Sequence, residues 1–563
     1  MNKQTTRLLE QHFDTAFDAP DGIKKLRELI LTLAMQGKLV PQDPDDQPAS
    51  ELLKEIEAEK KRLIKEGKIK PSKPLPPIKP EEIPLETQKK WFLVRLGDLG
   101  IAQTGTTPPT NNKTNYGNHI PFIGPGSIKD NKIDYSGEGL SPAGLLKGRL
   151  IEKNSVIMVC IGGSIGKHAI NEVQITCNQQ INALTPFKAV NFRFMFFALA
   201  APFFQQKVLA LAGGSATPII NKQKWASITI PMPPQNEQQR IVEKIDQLMA
   251  RVDELEKLRN EREEKRLKIH AAAIDQLLSA KSDDDFAAAW GFITGNFDSL
   301  YSVKENVAEL RKAILQLAVM GRLVPQDPND QPASELLKEI EAEKKRLIKE
   351  GKIKPSKPLP PIKPEEFSFT IPKTWCWSKM GTTGYSRLGK MLDKSKNKGI
   401  CKPYLRNTNV QWARFDLSDI KEMKFETSEL DEFKILPGDL LICEGGEPGR
   451  CAIWNETSRE IYFQKALHRV RPYPGIEVKY LAICLKVDAF TGNLNRYFTG
   501  ATIKHFPGEK LINYIFPLPP SLEQQRIVEK VDQLMALCDK LERRLTDKTE
   551  KQAGLLNSLM AKV

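Results

Sequence analysis

Apolar residues with a 4-3 spacing mark two long segments of the chain, near residues 237–278 and 520–563. The stripe consists of Ile241, Ile245, Leu248, Val252 and Leu255 in the first segment, and of Ile527, Val531, Leu534, Cys538 and Leu541 in the second. Such alternating steps keep one narrow face of a helix toward a partner, as in a coiled-coil seam. The pattern predicts two long helices, each on the order of 60 Å at ~1.5 Å per residue.

Two helices with matching seams in one chain most simply pack on each other. An antiparallel arrangement would relate the two halves of the chain by a pseudo-twofold axis. The alternative is that each seam packs on its own domain or on another subunit. The spacing alone does not decide between these arrangements.

Two blocks of sequence occur twice, and repeats of this kind determine the architecture. Residues 47–82 recur without a change as residues 331–366, and PMPPQNEQQRIVEKIDQLMA (231–250) returns as PLPPSLEQQRIVEKVDQLMA (517–536). The repeat extends upstream of residue 47 with less identity. Together the block and this extension predict helices near 23–36 and 49–66, which Gly37 and Gly67 would end. Proline-rich straps follow and should be extended and semi-rigid.

The stretches between the repeated blocks, residues 87–230 and 372–516, have diverged and share only a skeleton. Trp91 and Gly97 match Trp375 and Gly381, and Cys160-Ile161-Gly162-Gly163 is aligned with Cys443-Glu444-Gly445-Gly446. These stretches are predicted to be one fold with two different surfaces. The predicted domains are a helical repeat with its strap (1–86), a first module (87–233), a long helix and connector (234–309), a second helical repeat (310–371), a second module (372–519) and a C-terminal long helix (520–563).

The amino-acid composition makes the chain strongly basic. The net charge of +14 and the pI near 9.1 favour an anionic partner, with nucleic acid the first candidate. The eight cysteines form no CxxC pair and the six histidines no HxxxH, so neither a metal site nor a disulfide framework is predicted. Without a membrane-length apolar run or a secretion signal, we expect a cytoplasmic protein with no membrane partner.

The sequence contains no complete catalytic motif of a DNA methyltransferase or nuclease, and no phosphate-binding loop. A DNA amino-methyltransferase needs a polar residue before two prolines and an aromatic after them, whereas this chain has Met232-Pro233-Pro234-Gln235 and Leu518-Pro519-Pro520-Ser521. In the segment 161–168, His168 stands where a phosphate-binding loop requires a hydroxyl. The Glu-x-Lys fragments Glu59-Lys60-Lys61 and Glu66-Gly67-Lys68 lie on the charged repeated helix without a strand-borne aspartate, and a solvated helical face explains them better than a nuclease site. The sequence therefore predicts no catalytic residue and no cofactor bound by this chain.

Polar and basic loops are the remaining candidates, because Lys and Arg contact phosphates and guanine, and Asn and Gln pair with adenine. For any single residue, a solvated loop is the alternative interpretation. The first module contributes Asn111, Asn112, Lys113, Lys129, Lys132, Ser164, Lys167, Gln179, Gln180, Thr217 and Lys222. The second contributes Lys390, Lys394, Lys396, Lys398, Arg406, Asn407, Asn409, Arg450, Lys465, Arg469 and Lys504, with Asp393 as the one acid within the basic loop.

The duplicated PLPPxxEQQRIVEKxDQLM block and the duplicated LVPQDPxDQPASELLKEIEAEKKRLIKEGKI block, each beside a variable module, resemble the specificity subunits of Type I restriction enzymes. The resemblance covers nearly the full chain. It implies an α+β protein in which two target-recognition domains of similar fold are joined by long helices in an antiparallel coiled coil. It also implies a non-catalytic DNA-binding subunit that reads two short half-sites separated by a nonspecific spacer.

The same resemblance implies the partners of the chain. These are double-stranded DNA, two modification subunits that bind S-adenosylmethionine and methylate adenine, and two restriction subunits driven by ATP, with Mg²⁺ in the complex. One alternative is a self-contained methyltransferase or nuclease fused to its own recognition modules, and the missing motifs argue against it. Another is a coiled-coil adaptor that binds no DNA, and the divergence confined to the two modules argues against that.

Overall fold

The computed structural model describes residues 3–71, 75–79, 88, 90–214, 217–355, 357–393, 395 and 397–562. It contains two compact units: Met1–Arg262 with Asp547–Val563, and Glu263–Thr546. Helices and strands alternate irregularly in both units, so the predicted α+β class is confirmed.

The first unit contains a module built on strands and flanked by helices. Its helices are α1 (Lys3–Phe17), α2 (Gly22–Met35), α3 (Ala49–Lys65), α4 (Pro142–Leu145), α5 (Phe192–Ala200), α6 (Pro202–Leu211), α7 (Lys222–Ala226) and the first part of α8 (Gln235–Ser279). Its strands are β1 (Phe92–Arg95), β2 (Gly100–Thr104), β3 (Tyr116–Gly117), β4 (Phe122–Ile123), β5 (Ile128–Lys129), β6 (Lys132–Ile133), β7 (Gly139–Leu140), β8 (Val156–Val159), β9 (His168–Ile170), β10 (Thr176–Cys177), β11 (Ile181–Pro186) and β12 (Thr229–Met232).

A four-stranded antiparallel sheet in the order β2-β11-β8-β9 forms the centre of this module. All four residues of β8 are buried, because apolar side chains pack on both faces of the sheet. The first and last strands, β1 and β12, pair with each other and close the module where it joins the scaffold.

The second unit repeats this plan. Its helices are α9 (Asp283–Gly295), α10 (Phe297–Leu300), α11 (Lys304–Val319), α12 (Ala333–Lys349), α13 (Met380–Thr383), α14 (Leu430–Phe433), α15 (Val478–Thr491), α16 (Gly508–Ile512) and most of α17 (Ser521–Met560). Its strands are β13 (Cys376–Lys379), β14 (Gly384–Leu388), β15 (Ile400–Leu405), β16 (Val410–Gln411), β17 (Arg414–Phe415), β18 (Lys421–Phe425), β19 (Leu440–Cys443), β20 (Cys451–Ile453), β21 (Tyr462–Phe463), β22 (Leu467–Pro472) and β23 (Ile515–Leu518).

The sheet β14-β22-β19-β20 corresponds to β2-β11-β8-β9, and the pair β13-β23 corresponds to β1-β12. A further three-stranded sheet, β18-β15-β21, has no three-stranded counterpart among the described residues of the first unit. The two modules therefore share one fold, as the divergent stretches of sequence predicted.

Strand register corrects one detail of the sequence alignment. Val159 lies opposite Ile181, and Cys443 lies opposite Leu467, so Val159 rather than Cys160 corresponds to Cys443. The glycine after each strand confirms this register, because Gly162 and Gly446 have φ of 89° and 82°. The turn after this strand is one residue shorter in the second module than in the first. Because the two sequences were aligned on the identical residues Cys160 and Cys443, this one-residue gap was missed.

A buried glutamate fastens each module to its long helix. The indole Nε1 of Trp91 donates to Glu237 Oε2 at 3.0 Å, and the amide of Gln42 donates to Oε1. In the second unit Trp375 and Gln326 donate to Glu523 at 3.0 and 2.6 Å. Each carboxylate thus joins the first strand of a module, the helical repeat and the start of a long helix.

The rest of the EQQR sequence supports the same junction. Gln238 accepts from Asn191 N at 2.9 Å and donates to Pro233 O at 3.1 Å, while Arg240 pairs with Asp46 at 3.1 Å. Their counterparts make the same contacts: Gln524 accepts from Glu477 N at 2.8 Å and donates to Pro519 O at 3.0 Å, and Arg526 pairs with Asp330 at 3.2 Å. The motif is repeated because the junction is repeated.

The predicted seam residues lie along the cores of the two units. In the first unit Ile241, Ile245 and Val252 are buried, Leu248 is partly buried and Leu255 is exposed. In the second unit Ile527, Val531 and Cys538 are buried, while Leu534 and Leu541 are partly buried. A helix of the repeat also lies beside each seam, because Arg27 pairs with Asp253 and Arg311 with Asp539, both at 2.7 Å.

Each long helix contributes to both cores. Leu556 and Leu559 of α17 belong to the core that contains Ile241, whereas Ala273 and Leu277 of α8 belong to the core that contains Cys538. Helix α8 begins in the first unit and ends in the second, and α17 does the reverse. The two predicted seams lie in different cores, that of Ile241 in the first unit and that of Ile527 in the second, so each seam packs within its own unit.

Within the described ranges, no single helix is long and apolar enough to cross a membrane. The helices α5 and α6 meet the length and composition criterion only as a pair bent by 65°.

The buried glutamates provide a test of the junction. Glu237→Ala should leave the donors of Trp91 and Gln42 without an acceptor, and an unpaired buried donor costs about 1–3 kcal/mol. We expect the free energy of unfolding of the first unit to fall by roughly 2–6 kcal/mol, measured by chemical denaturation of the full chain. Glu243→Ala, at an exposed position of the same helix, is the control and should change it by about 0.5 kcal/mol or less.

This loss should depend on pH in a defined direction. Burial raises the pKa of Glu237 above its ordinary value of 4.5, so folding favours the protonated form. The stabilising contribution is complete below pH 4.5 and declines as the pH rises through the raised pKa. The difference between wild type and Glu237→Ala should therefore be larger at acidic than at neutral pH. Equal unfolding of the Glu237 and Glu243 variants would contradict the proposed junction.

Candidate nucleic-acid interface

Four loops of the first module lie side by side at one end of its central sheet. Backbone hydrogen bonds join them: Gly105 N to Ile181 O at 3.0 Å, Cys160 N to Gln180 O at 2.7 Å, and Gly162 N to Pro218 O at 2.9 Å. We call this surface recognition edge 1 and define it as residues 105–115, 160–167, 178–180 and 213–220, of which 215 and 216 lie outside the described residues. Because the backbone holds the loops together, their side chains are available for other contacts.

Most of the predicted residues of the first module lie on edge 1. Gln179 is exposed and accepts a hydrogen bond from the hydroxyl of Thr107. Gln180 is half-buried and accepts from the side-chain amide of Asn178 at 3.0 Å. The exposed members are Asn111, Asn112, Lys113, Lys167 and Thr217, Ser164 is half-buried, and the exposed Lys222 begins α7 directly after the edge.

Lys129 and Lys132 lie outside edge 1. They belong to the short β5–β6 hairpin, which packs against β9, and Lys129 lies 3.4 Å from Asp134. The turn between them requires positive φ at Asp130 and Asn131. The structure therefore separates these two lysines from the polar cluster with which the sequence analysis grouped them.

The second module builds the corresponding surface with the same backbone bonds. Gly389 N donates to Leu467 O at 2.9 Å and Glu444 N to Ala466 O at 2.9 Å, and Phe506 N donates to Glu444 O at 2.7 Å as Ile220 N does to Cys160 O at 2.9 Å in the first module. Recognition edge 2 comprises residues 389–398, 406–409, 443–450, 464–466 and 499–505. Lys394 and Lys396, which were predicted to contact DNA, lie outside the described residues.

Three predicted cations of edge 2 are exposed: Lys398, Lys465 and Lys504. The ammonium group of Lys504 donates to the side chain of Asn495 at 3.1 Å, and Lys465 N donates to Lys390 O at 2.8 Å. Their charged groups extend from a backbone that is already hydrogen-bonded. They can approach a phosphate chain without rearrangement of the strands.

Three other predicted contacts of this module belong to its core. Lys390 is 8% exposed and pairs with Glu429, Asn409 is buried and donates to Asp416 O at 2.9 Å, and Arg469 is 2% exposed. Arg469 donates to two backbone carbonyls at 2.9 and 3.0 Å, and burial lowers its pKa to about 10. The direction in which each side chain points from its strand cannot be read from charge in the sequence, and neither can the pairing of Lys390 with Glu429. We therefore exclude the side chains of these three residues from the interface, although the backbone of Lys390 and Asn409 belongs to edge 2.

Arg406, Asn407 and Arg450 form a half-buried network at the centre of edge 2. Arg406 pairs with Asp419 at 2.7 Å, Arg450 donates to Asn407 O at 3.0 Å, and the amide of Asn407 donates to Gly445 O at 3.2 Å. These contacts fix the amide and the two guanidinium groups in one orientation. The network positions the edge, and only part of each side chain is open to a ligand.

Edge 2 also contains acids that the sequence analysis missed. Glu447 pairs with Arg450 at 2.8 Å and accepts from the indole of Trp412 at 2.9 Å. Glu444 lies 3.1 Å from His505. The signal was present in the sequence, because both glutamates lie in the EGGEPGR turn. These acids offset part of the positive charge at this edge.

The chemistry of both edges is that of binding. They present amides, hydroxyls and cations, the groups that hydrogen-bond bases and neutralise phosphates. His168 and His468 are buried beside the edges, and burial lowers the pKa of both. No group of three or more metal-ligating side chains occurs in the part of the chain that the structure describes.

Comparison with known proteins connects these surfaces to a family. The model of the Type I restriction modification DNA specificity domain matches residues 88–264 and 374–551. The specificity subunit of the Type I restriction enzyme EcoAI of Escherichia coli is 34% identical over 562 residues, which cover 95% of this chain and 92% of that protein. The EcoEI specificity subunit of Escherichia coli is 31% identical and covers 96% of this chain, with 93% of its own length aligned. A crystal structure of the HsdS subunit from Thermoanaerobacter tengcongensis matches 85% of this chain and 98% of its own at 18% identity, with a TM-score of 0.44.

Proposed function

Because the chain belongs to the family of Type I restriction–modification DNA specificity subunits, we propose that its two recognition edges bind the two halves of a split DNA target. The observation that supports this proposal is that equivalent backbone hydrogen bonds build both edges, while the side chains of the two edges differ. Edge 1 is rich in Asn, Gln and Thr, and edge 2 in Lys and Arg. Two surfaces that share one backbone geometry but carry different side chains suit two different half-sites.

The subunit itself is the non-catalytic member of its complex, as the specificity subunits among its relatives are. Full-length similarity to these subunits argues against both alternatives, a self-contained enzyme and an adaptor that binds no DNA. Methyl transfer and cleavage then belong to the partners, and so do S-adenosylmethionine, ATP and Mg²⁺. Methylome sequencing of cells that carry this subunit with a modification subunit tests the proposal. We expect it to detect one methylated motif that is split into two half-sites.

The exposed lysines of edge 2 allow a quantitative test. Lys398→Gln with Lys465→Gln should weaken binding to all duplexes and flatten the plot of log affinity against log salt concentration by about 1.8, at roughly 0.9 per phosphate contact. Base preference should persist, because phosphate contacts position the protein without reading sequence. Lys345→Gln, at an exposed lysine on α12, is the control. An unchanged slope in the double variant would show that edge 2 does not follow the phosphates.

Matched apolar grooves support two docking sites for modification subunits. In the first unit the groove is lined by Phe13, Leu255 and Leu258, and its charged lining residues are Asp14, Asp18, Arg259, Arg262 and Lys548. In the second it lies between Phe297, Trp290 and Leu541, with Lys540 and Arg544 at its rim. Phe13 and Phe297 occupy equivalent positions of the repeat, and each packs on the aromatic ring four residues later. We propose that each groove takes the apolar face of an amphipathic segment from one modification subunit.

Single substitutions should separate the two docking sites. Phe13→Asp and Phe297→Asp each place a charge in one groove, and each variant should retain one modification subunit where the wild type binds two. Mass photometry of the reconstituted complex measures this stoichiometry. Phe292→Asp, at an exposed position of α9 outside the groove, should retain both subunits. Two bound subunits in both groove variants would contradict the assignment.

Exchange of one module tests whether the half-sites are read independently. Replacing residues 87–233, the predicted boundaries of the first module, with a module from a related specificity subunit should change one half-site of the methylated motif. The other half-site and the spacer length should persist, because the scaffold outside the module is unchanged. The purified chain alone should show neither methyl transfer nor cleavage. Simultaneous change of both half-sites would exclude independent modules.

A further inference from the structure

Two adjacent apolar side chains are exposed at the start of the basic loop of edge 2. Met391 is 57% exposed and Leu392 is 46% exposed. They directly follow Lys390, whose backbone is held on the edge by Lys390 N to Phe463 O at 3.2 Å and Lys465 N to Lys390 O at 2.8 Å. Single exposed apolar residues are common on proteins, but an adjacent pair within a basic recognition surface requires an explanation.

The first module fills the equivalent place differently. Because the amides of Gly105 and Gly389 make equivalent bonds to the central sheet, Thr107 corresponds to Met391 and Pro108 to Leu392. The hydroxyl of Thr107 donates to Gln179, and the buried Pro108 accepts from the hydroxyl of Tyr116 at 2.9 Å. Internal contacts thus occupy this position in edge 1, whereas edge 2 presents two apolar side chains to solvent.

Local hydrogen bonds shape the loop without using the side chains of Met391 and Leu392. The carboxylate of Asp393 accepts from Ser395 N at 3.1 Å and from its hydroxyl at 2.6 Å. Asn397 N donates to Asp393 O at 2.9 Å, and the amide of Asn397 donates to Met391 O at 3.1 Å. The described hydrogen bonds around Met391 and Leu392 thus leave both side chains unused. Neither side chain belongs to a hydrophobic core cluster of the described residues.

The charge around the pair favours a polyanion that also offers apolar surface. The exposed Lys398 follows it in the same loop, and the exposed Lys465 lies on the neighbouring segment that bonds to Lys390. Stacked bases between two phosphate chains combine these properties. Met and Leu are among the side chains that proteins insert between base steps, partly unstacking them. We propose that Met391 and Leu392 form an apolar wedge that unstacks one base step of the half-site bound by edge 2, an inference that rests on the proposed DNA-binding function.

The test uses the full chain and duplexes that carry the split target identified by methylome sequencing. A fluorescent base analogue is placed at successive positions of each half-site, since its emission rises when its base unstacks. Wild type should raise the emission at one step of the second half-site. The double variant Met391→Ser with Leu392→Ser should abolish that rise and lower affinity by about tenfold or more, because burial of each side chain contributes to binding. Its salt dependence and the first half-site should be unchanged.

Leu146→Ser is the matched control, because Leu146 is an 89% exposed leucine of the first module. Wild-type affinity and emission in the double variant would overturn the wedge and leave the proposed function standing. Retained DNA binding with loss of a modification subunit from the complex would also overturn it, because the pair would then contact protein. A wild-type chain that binds no duplex at all would overturn the proposed function together with the wedge.

Discussion

The junction at each buried glutamate is the constraint on which the rest of the structure depends. Glu237 and Glu523 are each 1% exposed, and burial raises the pKa of both carboxyl groups. Such a group is tolerated only where donors surround it, and the tryptophan and glutamine partners provide them. Because those donors come from a module strand and from the helical repeat, the carboxylate positions both elements on one long helix. This explains why the motif EQQR, the repeat and the tryptophan recur together.

The recognition edges follow a complementary rule. Their loops are joined by backbone bonds, as at Cys160 and the equivalent Glu444, where the same bond is kept although the side chains differ. At Gly105 and Gly389, by contrast, the backbone approaches so closely that a Cβ would not fit. Away from such glycines, side chains of the edges can therefore change without loss of the loop arrangement. The scaffold cannot vary in this way, because its contacts are made by side chains. The sequence accordingly diverges in the modules and is repeated in the scaffold, and the difference has a physical cause.

The sequence predicted the helices closely and the interface only in part. The long helix α8 spans Gln235–Ser279 and the repeat helix α3 spans Ala49–Lys65, near the predicted limits, because a stripe of apolar residues is a local signal. Arg469 shows where such reasoning stops, since its two carbonyl partners, Glu432 O and Lys434 O, lie at the end of α14, a segment distant in sequence. The alignment of Cys160 with Cys443 was wrong for the same reason, because the pairing between two strands cannot be read from the sequence of either strand alone. Charge in a sequence therefore marks a candidate region, and only the fold separates its exposed cations from its buried ones.

Internal pairing also changes what charge can do at edge 2. Arg406 and Arg450 already pair with Asp419 and Glu447, so a phosphate would compete with a carboxylate for each guanidinium group. Such cations add little to nonspecific attraction, and their fixed geometry suits a ligand that fits without displacing the acid. The acids also repel a phosphate that approaches out of register. Under the proposed function, attraction to DNA at edge 2 would depend mainly on exposed lysines such as Lys398 and Lys465, and discrimination on the paired network and on uncharged side chains. On that proposal, a strongly basic chain can keep acids in the middle of edge 2, because the acids orient the arginines without cancelling the exposed lysines.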